Sequence, residues 1–368
     1  MRIRLAVTTV ALATALAAGA AAPAIAARPA SGAPMSATPT VQDILGRLPD
    51  DVVAGALIRR DGVGATAGPV TADAYLRIGS VTKVFTNTVV LQLVAEHRIG
   101  LDTPARRYVP EVLPEAYAGV TVRQLLDHTS GLPKPAGTPG PADGPGWQLK
   151  SVAPGDFLRE SFAAAADEVP PATPAAQQYN GLNSLVLGLI VEKVTGRSFT
   201  AELERRIIRP LHLSHTSLPA ADDPALPSPH AEVYLDGQDV TEQSPYPWAE
   251  GGMISTAADL DRFLTALFRG RLLPPAQQEL VFEVPDVSNG VDNTNCVKDP
   301  CYSVGGLMRY QLPNGEYVWG KTGSRPGWDN GFFATRDLRH RLEYSLNPTG
   351  AGNDLPYIKA LVNAGLAD

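Results

Sequence analysis

The stretch Ser80-Val81-Thr82-Lys83 stands where an apolar helix is predicted to begin, with Ile78-Gly79 before it and Val84-Phe85 after it. Residues three apart on a helix project from the same side, so Lys83 would lie beside the Ser80 hydroxyl. A serine hydroxyl is a good nucleophile only when a neighbouring group takes its proton. The N–H groups at a helix N-terminus favour an alkoxide and disfavour an ammonium, which would push Lys83 towards its neutral, basic form.

The same residues also have a purely structural interpretation. Ser80 could cap the helix, and Lys83 could be a solvated surface lysine. A serine and a lysine separated by two residues indicate catalysis only when other residues of the chain supply the rest of an active site. The chain would have to provide a third proton-handling group, a second cation and an oxyanion hole.

The N-terminus has the features of an export signal. Met1-Arg2-Ile3-Arg4 is followed by an Ala-rich apolar run and by Ala24-Ile25-Ala26. A charged start, an apolar stretch and a small-x-small site predict a signal peptide over residues 1–26, and an N-terminal membrane anchor is the alternative. Residues 27–40 are predicted to be a flexible lead-in. We therefore expect secretion into the extracellular or cell-wall compartment, with no membrane association after cleavage.

Composition limits the possible partners. The 368 residues carry a formal net charge of −7, and an acidic balance argues against nucleic-acid binding. The two cysteines, Cys296 and Cys301, predict a disulfide that closes a small loop in an exported chain. No histidine lies near them, and His212 and His215 have no evident third ligand, so we expect no metal and no cofactor. A monomer that acts on a small-molecule or peptide acyl donor is expected.

Predicted strands lie at both ends of the chain and helices fill the middle. This predicts one catalytic unit over residues 41–368, with a sheet subdomain (about 41–80 and 250–368) and a helical subdomain (about 81–249). Short turns between the strands favour antiparallel pairing. The predicted strands cover residues 53–59, 63–68, 305–311, 316–320, 331–334 and 342–346. The predicted helices follow Ser80 and Thr121 and cover 154–165, 185–194, 200–208 and 257–269.

Three ordered motifs carry a resemblance. Ser80-x-x-Lys83 is followed by Tyr179, just before a helix, and then by Lys321-Thr322-Gly323 on a late strand. Flanking runs at residues 123–133 and 192–196 complete the pattern. In order and spacing, the chain resembles the active-site-serine penicillin-recognising enzymes: the serine D-alanyl-D-alanine carboxypeptidases, the class C β-lactamases and related esterases. The resemblance implies an α/β, β-lactamase/transpeptidase-like fold, with a mostly antiparallel sheet flanked by helices and an inserted all-α domain.

The resemblance also implies residue roles. Ser80 would be the nucleophile, Lys83 the base or its electrostatic helper, and Tyr179 the group that protonates the leaving amine and later activates water. Lys321 would help Lys83 to stabilise a Tyr179 phenolate. The backbone N–H groups of Ser80 and Ser324 would form the oxyanion hole. A substrate carboxylate would be held by a set on the late strand: Lys321, Thr322 and Ser324, with Gly323 leaving room for the substrate.

The chain departs from the family at one position. The family usually has Tyr-x-Asn in its second motif, whereas this chain has Tyr179-Asn180-Gly181. The missing asparagine would bind the amide of the acyl group and orient the lysine. Either Asn180 replaces it, or water does, or the substrate lacks that amide. Trp248 and Trp328 are each expected either to line the cleft or to be buried in the core.

Together these observations predict a secreted serine acyl-hydrolase that forms an acyl-enzyme on Ser80. A D-alanyl-D-alanine carboxypeptidase is the first expectation. An esterase or β-lactamase on the same scaffold is the alternative, and so is a penicillin-binding protein that acylates but turns over slowly. A Ser-His-Asp hydrolase is disfavoured because the chain contains no Gly-x-Ser-x-Gly.

Overall fold

The central sheet of the computed structural model is built from both ends of the chain. The strands are β1 (Val53–Arg60), β2 (Val63–Ala67), β3 (Tyr75–Arg77), β4 (Tyr234–Leu235), β5 (Gln238–Asp239), β6 (Ile254–Thr256), β7 (Met308–Gln311), β8 (Tyr317–Arg325), β9 (Trp328–Thr335) and β10 (Arg341–Pro348). Six of them form one antiparallel sheet in the order β2-β1-β10-β9-β8-β7. Two small two-stranded sheets pair β3 with β6 and β4 with β5.

The structure describes residues 40–367 apart from residues 169, 173, 292–295, 297 and 298. The predicted signal peptide (1–26) and all but the last residue of the predicted lead-in (27–40) lie outside the described residues. Thr40 caps the first helix through a bond from the Asp43 N–H to its side chain. No helix in the described range is long and apolar enough to cross a membrane.

The helices lie mostly between the two groups of sheet strands. They are α1 (Val41–Leu45), α2 (Thr82–Ala95), α3 (Val122–Leu126), α4 (Pro154–Ala164), α5 (Leu182–Thr195), α6 (Phe199–Leu203), α7 (Ala257–Phe268), α8 (Pro275–Leu280) and α9 (Leu355–Leu366). Helix α3 begins at the capping box predicted from Thr121 and Gln124. A π-helical turn, Glu204–Ile208, ends what the sequence predicts as one helix over residues 200–208.

Two hydrophobic cores cover the two faces of the sheet. On one face, Phe85 of α2 stacks on Phe263 of α7 at 3.7 Å between ring centroids. On the other face, Leu361 of α9 packs with Leu346 of β10. Burial of each such side chain contributes about 1.5–3 kcal/mol. Helix α2, which follows Ser80, is therefore fixed in the larger core, with most of its side chains buried.

Strands β8 and β9 are longer than their sequences predict. The expected strand over 316–320 continues to Arg325, and the expected strand over 331–334 begins at Trp328. Pairing persists through Thr322↔Gly331 and Gly323↔Asn330 as far as Arg325↔Trp328. Backbone hydrogen bonds to a neighbouring strand maintain the ladder where the side-chain pattern is polar and glycine-rich. The Lys-Thr-Gly motif therefore lies inside a strand, where its backbone is held rigidly.

Candidate active site

Ser80 lies in a 3-10 turn, Gly79–Val81, that leads directly into α2. Lys83 is one helical turn further on and fully buried, and its Nζ donates to the Ser80 Oγ at 3.0 Å. The pair is therefore a buried contact, and the surface interpretation of Lys83 is wrong.

Strand β8 touches the turn that contains Ser80, backbone against backbone. A Cβ on Gly79, whose φ is +50°, would lie 2.5 Å from the carbonyl oxygen of Ser324. A Cβ on Gly323 would lie 2.9 Å from the N atom of Ser80. Glycine is required at both positions because any side chain would push the strand away. This close approach brings Ser80 and Ser324, the predicted oxyanion-hole residues, to the walls of the same cavities.

Tyr179 lies between the two lysines. The Nζ of Lys83 is 5.1 Å from the centroid of the Tyr179 ring, and the Nζ of Lys321 is 4.8 Å from it. Lys321 is also buried and donates to the carbonyl oxygen of Thr322 at 2.7 Å. The Tyr179 hydroxyl is buried and makes no well-directed hydrogen bond within the described part of the chain, yet Ser80 is near enough to influence its pKa.

Two aromatic rings pack against the ring of Tyr179. Its ring stacks on Tyr302 at 4.9 Å and lies 4.7 Å from the ring of His128. Burial lowers the pKa of His128 well below its ordinary value, so its imidazole is neutral. A disulfide joins Cys296 to Cys301, and these cysteines belong to the same hydrophobic cluster as Tyr302. The two cysteines thus pack in the cluster that contacts Tyr179.

The electrostatics favour Tyr179 as a proton acceptor. Burial alone would raise the pKa of this phenol, but the positive charges of Lys321 and Lys83 lower it below its ordinary value. Burial lowers the pKa of Lys321. Burial also disfavours the ammonium of Lys83, but the carboxylate of Glu250 and the Tyr179 phenolate outweigh burial and raise the pKa of Lys83. The direction of this shift is opposite to the expectation that the helix N-terminus makes Lys83 neutral, and it favours an ammonium beside Ser80.

Glu250 is the site residue that sequence reasoning missed. Its Oε1 accepts from the Nζ of Lys83 at 2.9 Å, and its backbone oxygen accepts from the same Nζ at 2.8 Å. The Glu250 side chain is 21% exposed and lines a cavity of about 230 Å³ together with Ser80, Ser324 and Arg325. No local pattern marks this glutamate, because its partner is 167 residues away in sequence.

The structure excludes Asn180 as the replacement for the missing asparagine. The Nδ2 of Asn180 donates to the carbonyl oxygens of Leu132 and Pro133, and its Oδ1 accepts from the N–H of Leu182. Asn180 therefore links the start of α5 to the loop that contains Leu132 and Pro133, and its predicted role in substrate binding is wrong. Gly181 does lie at the site, where Glu250 fills the space beside it: a Cβ on Gly181 would lie 2.5 Å from the Oε1 of that carboxylate.

Both candidate tryptophans belong to the core. The ring of Trp248 packs edge-on against Phe199 at 5.2 Å and covers Gly188 of α5, so the substrate-binding role given to Trp248 is wrong. Trp328 is fully buried. The large indole ring of Trp248 supplies much of the apolar area that packs against α5.

Thr322, Gly323 and Ser324 line a second cavity, of about 300 Å³, with Ser80, Tyr179 and Lys321. Asp329 and Asp354 line the same cavity. Burial raises the pKa of Asp329 to about 7, and its hydrogen bond with Asp354 adds to the shift. The described residues include no group of three or more side chains suited to hold a metal ion.

Comparison with known proteins agrees with this geometry. Residues 44–350 match the beta-lactamase family, and the chain belongs to that family of serine hydrolases. It is similar to penicillin-binding protein 4 of Amycolatopsis lactamdurans, with 34% identity over 58% of this chain and 54% of the relative. The chain thus spans about half the length of that relative.

Two solved structures cover nearly all of the described chain. A D-stereospecific amidohydrolase from Streptomyces sp. has 33% identity and a TM-score of 0.76, over 87% of this chain and 97% of its own. The D-amino acid amidase of Ochrobactrum anthropi SV3 has 26% identity and a TM-score of 0.71, over 88% and 98%. The predicted fold class and family are therefore confirmed.

Proposed function

We propose that this chain is a serine amidohydrolase that cleaves the bond on the carbonyl side of a D-amino acid through an acyl-enzyme on Ser80. The observation that carries the proposal is the cluster in which the buried Lys83 and Lys321 lie beside the half-buried Ser80 and Tyr179, with Ser80, Tyr179 and Lys321 lining one cavity. Similarity to a D-stereospecific amidohydrolase along 87% of the chain supports the stereochemistry.

In the proposed reaction, the Tyr179 phenolate takes the proton of the Ser80 hydroxyl while Oγ attacks the acyl carbon. The backbone N–H groups of Ser80 and Ser324 would stabilise the oxyanion that forms. Tyr179 then gives its proton to the leaving nitrogen as the C–N bond breaks. Water then attacks the ester carbon and gives a proton to the same phenolate. Tyr179 passes this proton to the Ser80 Oγ as the bond between Oγ and the acyl carbon breaks, which releases the acid and restores both Ser80 and the phenolate. The ammonium groups of Lys83 and Lys321 keep the phenolate available throughout.

An uncharged leaving group fits this site better than the D-alanine of a carboxypeptidase. A carboxypeptidase would place the substrate carboxylate near Thr322 and Ser324, in the cavity that also holds Asp329 and Asp354. Above its pKa of about 7, Asp329 carries a negative charge and would repel a substrate carboxylate. We therefore place an amide or ester leaving group first, and D-alanyl-D-alanine carboxypeptidase activity stays a prediction.

The experiment compares acyl donors on the purified protein. We expect Ser80-dependent turnover of D-alanine amide and D-phenylalanine amide, at least tenfold faster than turnover of the L-isomers. A diacetyl-lysyl-D-alanyl-D-alanine peptide, nitrocefin and p-nitrophenyl butyrate are the comparison substrates, and Ser80→Ala is the blank. Faster release of D-alanine from the peptide would select the carboxypeptidase, whereas a preference for nitrocefin or the butyrate ester would select the alternatives.

We also propose that the chain is exported and acts as a monomer. The predicted signal peptide and the disulfide between Cys296 and Cys301 support export, because such bonds persist in oxidising compartments. Detection of the protein in the culture medium, with a new N-terminus after Ala26, would test the first point. Light scattering would test the second.

A further inference from the structure

From the position of Glu250, we infer that this site selects acyl donors with a free, positively charged amino group on the acyl carbon chain. The carboxylate would bind that ammonium where the family's asparagine would bind an acylated nitrogen. The inference rests on the proposed function and names its substrate class more closely.

The first step is that Glu250 occupies the missing side chain's place. A Cβ on Gly181 would lie 2.5 Å from Oε1, 2.6 Å from Cδ and 3.1 Å from Cγ of Glu250. The carboxylate also makes the hydrogen bond to Lys83 that the asparagine would make. Glycine at 181 and glutamate at 250 are thus complementary, and a side chain at 181 would require the Glu250 carboxylate to move.

The second step is that the carboxylate is available to a ligand. One oxygen, Oε1, bonds Lys83, whereas Oε2 makes no hydrogen bond to the described residues. Glu250 lines the cavity that opens on Ser80. Bonds of 3.0 and 2.9 Å through the Nζ of Lys83 link the Ser80 Oγ to Oε1. The Oε1 atom is therefore no more than about 6 Å from Oγ, a separation that an acyl carbon at Oγ and its α-nitrogen can span.

The third step is the sign of the interaction. A carboxylate oxygen accepts hydrogen bonds only, so the carbonyl oxygen of an N-acyl group would meet a second acceptor there. An ammonium donates and gains a charge-assisted bond, roughly twice as strong as a neutral one. The cations already at the site donate elsewhere or to one carboxylate oxygen only. Lys83 bonds the Oε1 of Glu250, Lys321 bonds Thr322, and the half-buried Arg325 donates to the backbone oxygen of Ser244, which leaves Oε2 for the donor of a ligand.

The test compares three p-nitroanilides that differ only at the α-position: D-alanyl, N-acetyl-D-alanyl and propionyl. For the wild-type protein, we expect kcat/KM for the D-alanyl substrate to exceed that of the other two by about 10- to 100-fold, the value of one hydrogen bond to a charged group. The preference should decline above about pH 8, where an α-amino group loses its proton.

Glu250→Gln removes the charge but keeps the shape and an acceptor oxygen for Lys83. We expect this variant to lose most of the preference for the D-alanyl substrate while it still hydrolyses the propionyl substrate. The exposed Glu279→Gln is the matched control and should keep the preference. If Glu250→Gln does not fold, the double variant Gly181→Asn/Glu250→Ala replaces it, and we expect that protein to favour the N-acetyl substrate.

The outcomes separate the two proposals. Equal or faster hydrolysis of the N-acetyl substrate by the wild-type protein would overturn this inference and leave the proposed function standing. A preference for the free amine that persists unchanged in Glu250→Gln would also overturn it. No Ser80-dependent hydrolysis of any acyl donor would overturn the proposed function, and this inference with it.

Discussion

Gly181→Ala isolates the steric relation between the second motif and Glu250. The backbone at Gly181 has φ −67° and ψ −31°, which alanine adopts without strain. In an empty site the substitution would stabilise the protein by about 0.4–1 kcal/mol, because it restricts the unfolded chain. Here the new methyl would lie 2.5 Å from the Oε1 of Glu250, so the carboxylate must move. Its ion pair with the buried Lys83 would then break.

The expected cost follows from that ion pair. Removing one partner of a buried ion pair costs about 3–5 kcal/mol of unfolding free energy. Because the Glu250 side chain is 21% exposed, we expect a value at the lower end of this range. We expect Gly181→Ala to lower the free energy of unfolding by about 2–3 kcal/mol. In a Glu250→Ala background the same substitution should be neutral or slightly stabilising. The coupling energy between the two positions would be about 2–4 kcal/mol.

Urea denaturation of the four proteins in this double-mutant cycle measures the coupling, and hydrolysis of p-nitrophenyl acetate reports on Ser80. The activity of Gly181→Ala should fall with its stability, because Lys83 loses the group that orients it. The reasoning would be refuted if Gly181→Ala stabilised both backgrounds equally, since Glu250 would then not occupy the space beside position 181.

Three further predictions follow from the site. Tyr179→Phe should lower the acylation rate by about 10²- to 10⁴-fold with little change in Tm. Stopped-flow kinetics would measure the rate and thermal denaturation the Tm. A rate within threefold of wild type would argue against Tyr179 as the proton carrier. If the phenolate is the active form, kcat/KM should rise with pH as Tyr179 loses its proton at its lowered pKa. The midpoint of this rise should move to higher pH in Lys321→Met, which lacks a cation, and to lower pH in Glu250→Gln, which lacks an anion. A midpoint that neither variant moves would contradict the assignment. Replacing Cys296 and Cys301 with serine should cost about 2 kcal/mol of unfolding free energy, since the bridge spans only 5 residues, and a loss above 4 kcal/mol in urea denaturation would show a larger structural role.

Local signals in the sequence predict much of the fold. The capping box at Thr121 and the apolar period after Ser80 mark α3 and α2, and both helices form where they are expected. Strand ends are less accurate, because β8 and β9 continue through polar residues that backbone pairing alone keeps extended. The break at the π-helical turn Glu204–Ile208 has no signal in the periodicity.

The residues of the site, like the elements of the fold, include some that the sequence predicts and one that it does not. Ser80, Lys83, Tyr179 and Lys321 follow from motifs, since each has a fixed local setting that the family resemblance marks. Glu250 does not, because its contact with Lys83 depends on tertiary structure alone. The glycine at 181 was the available clue: a missing side chain in a buried site implies that another group fills the space.

The pKa of Lys83 shows why the missed residue matters. Local reasoning from the helix N-terminus predicts a neutral amine, whereas the carboxylate of Glu250 keeps it charged. A single opposite charge within hydrogen-bonding distance outweighs the dipole of a helix end. We therefore propose Tyr179, and not Lys83, as the group that accepts the Ser80 proton.

Mass-spectrometric mapping of the acyl-enzyme tests the central claim most directly. After incubation with benzylpenicillin, the protein is quenched in acid and digested. The account predicts a single adduct on the peptide that contains Ser80, absent from Ser80→Ala and formed much more slowly by Tyr179→Phe. An adduct on any other residue, or one that persists in Ser80→Ala, would contradict it.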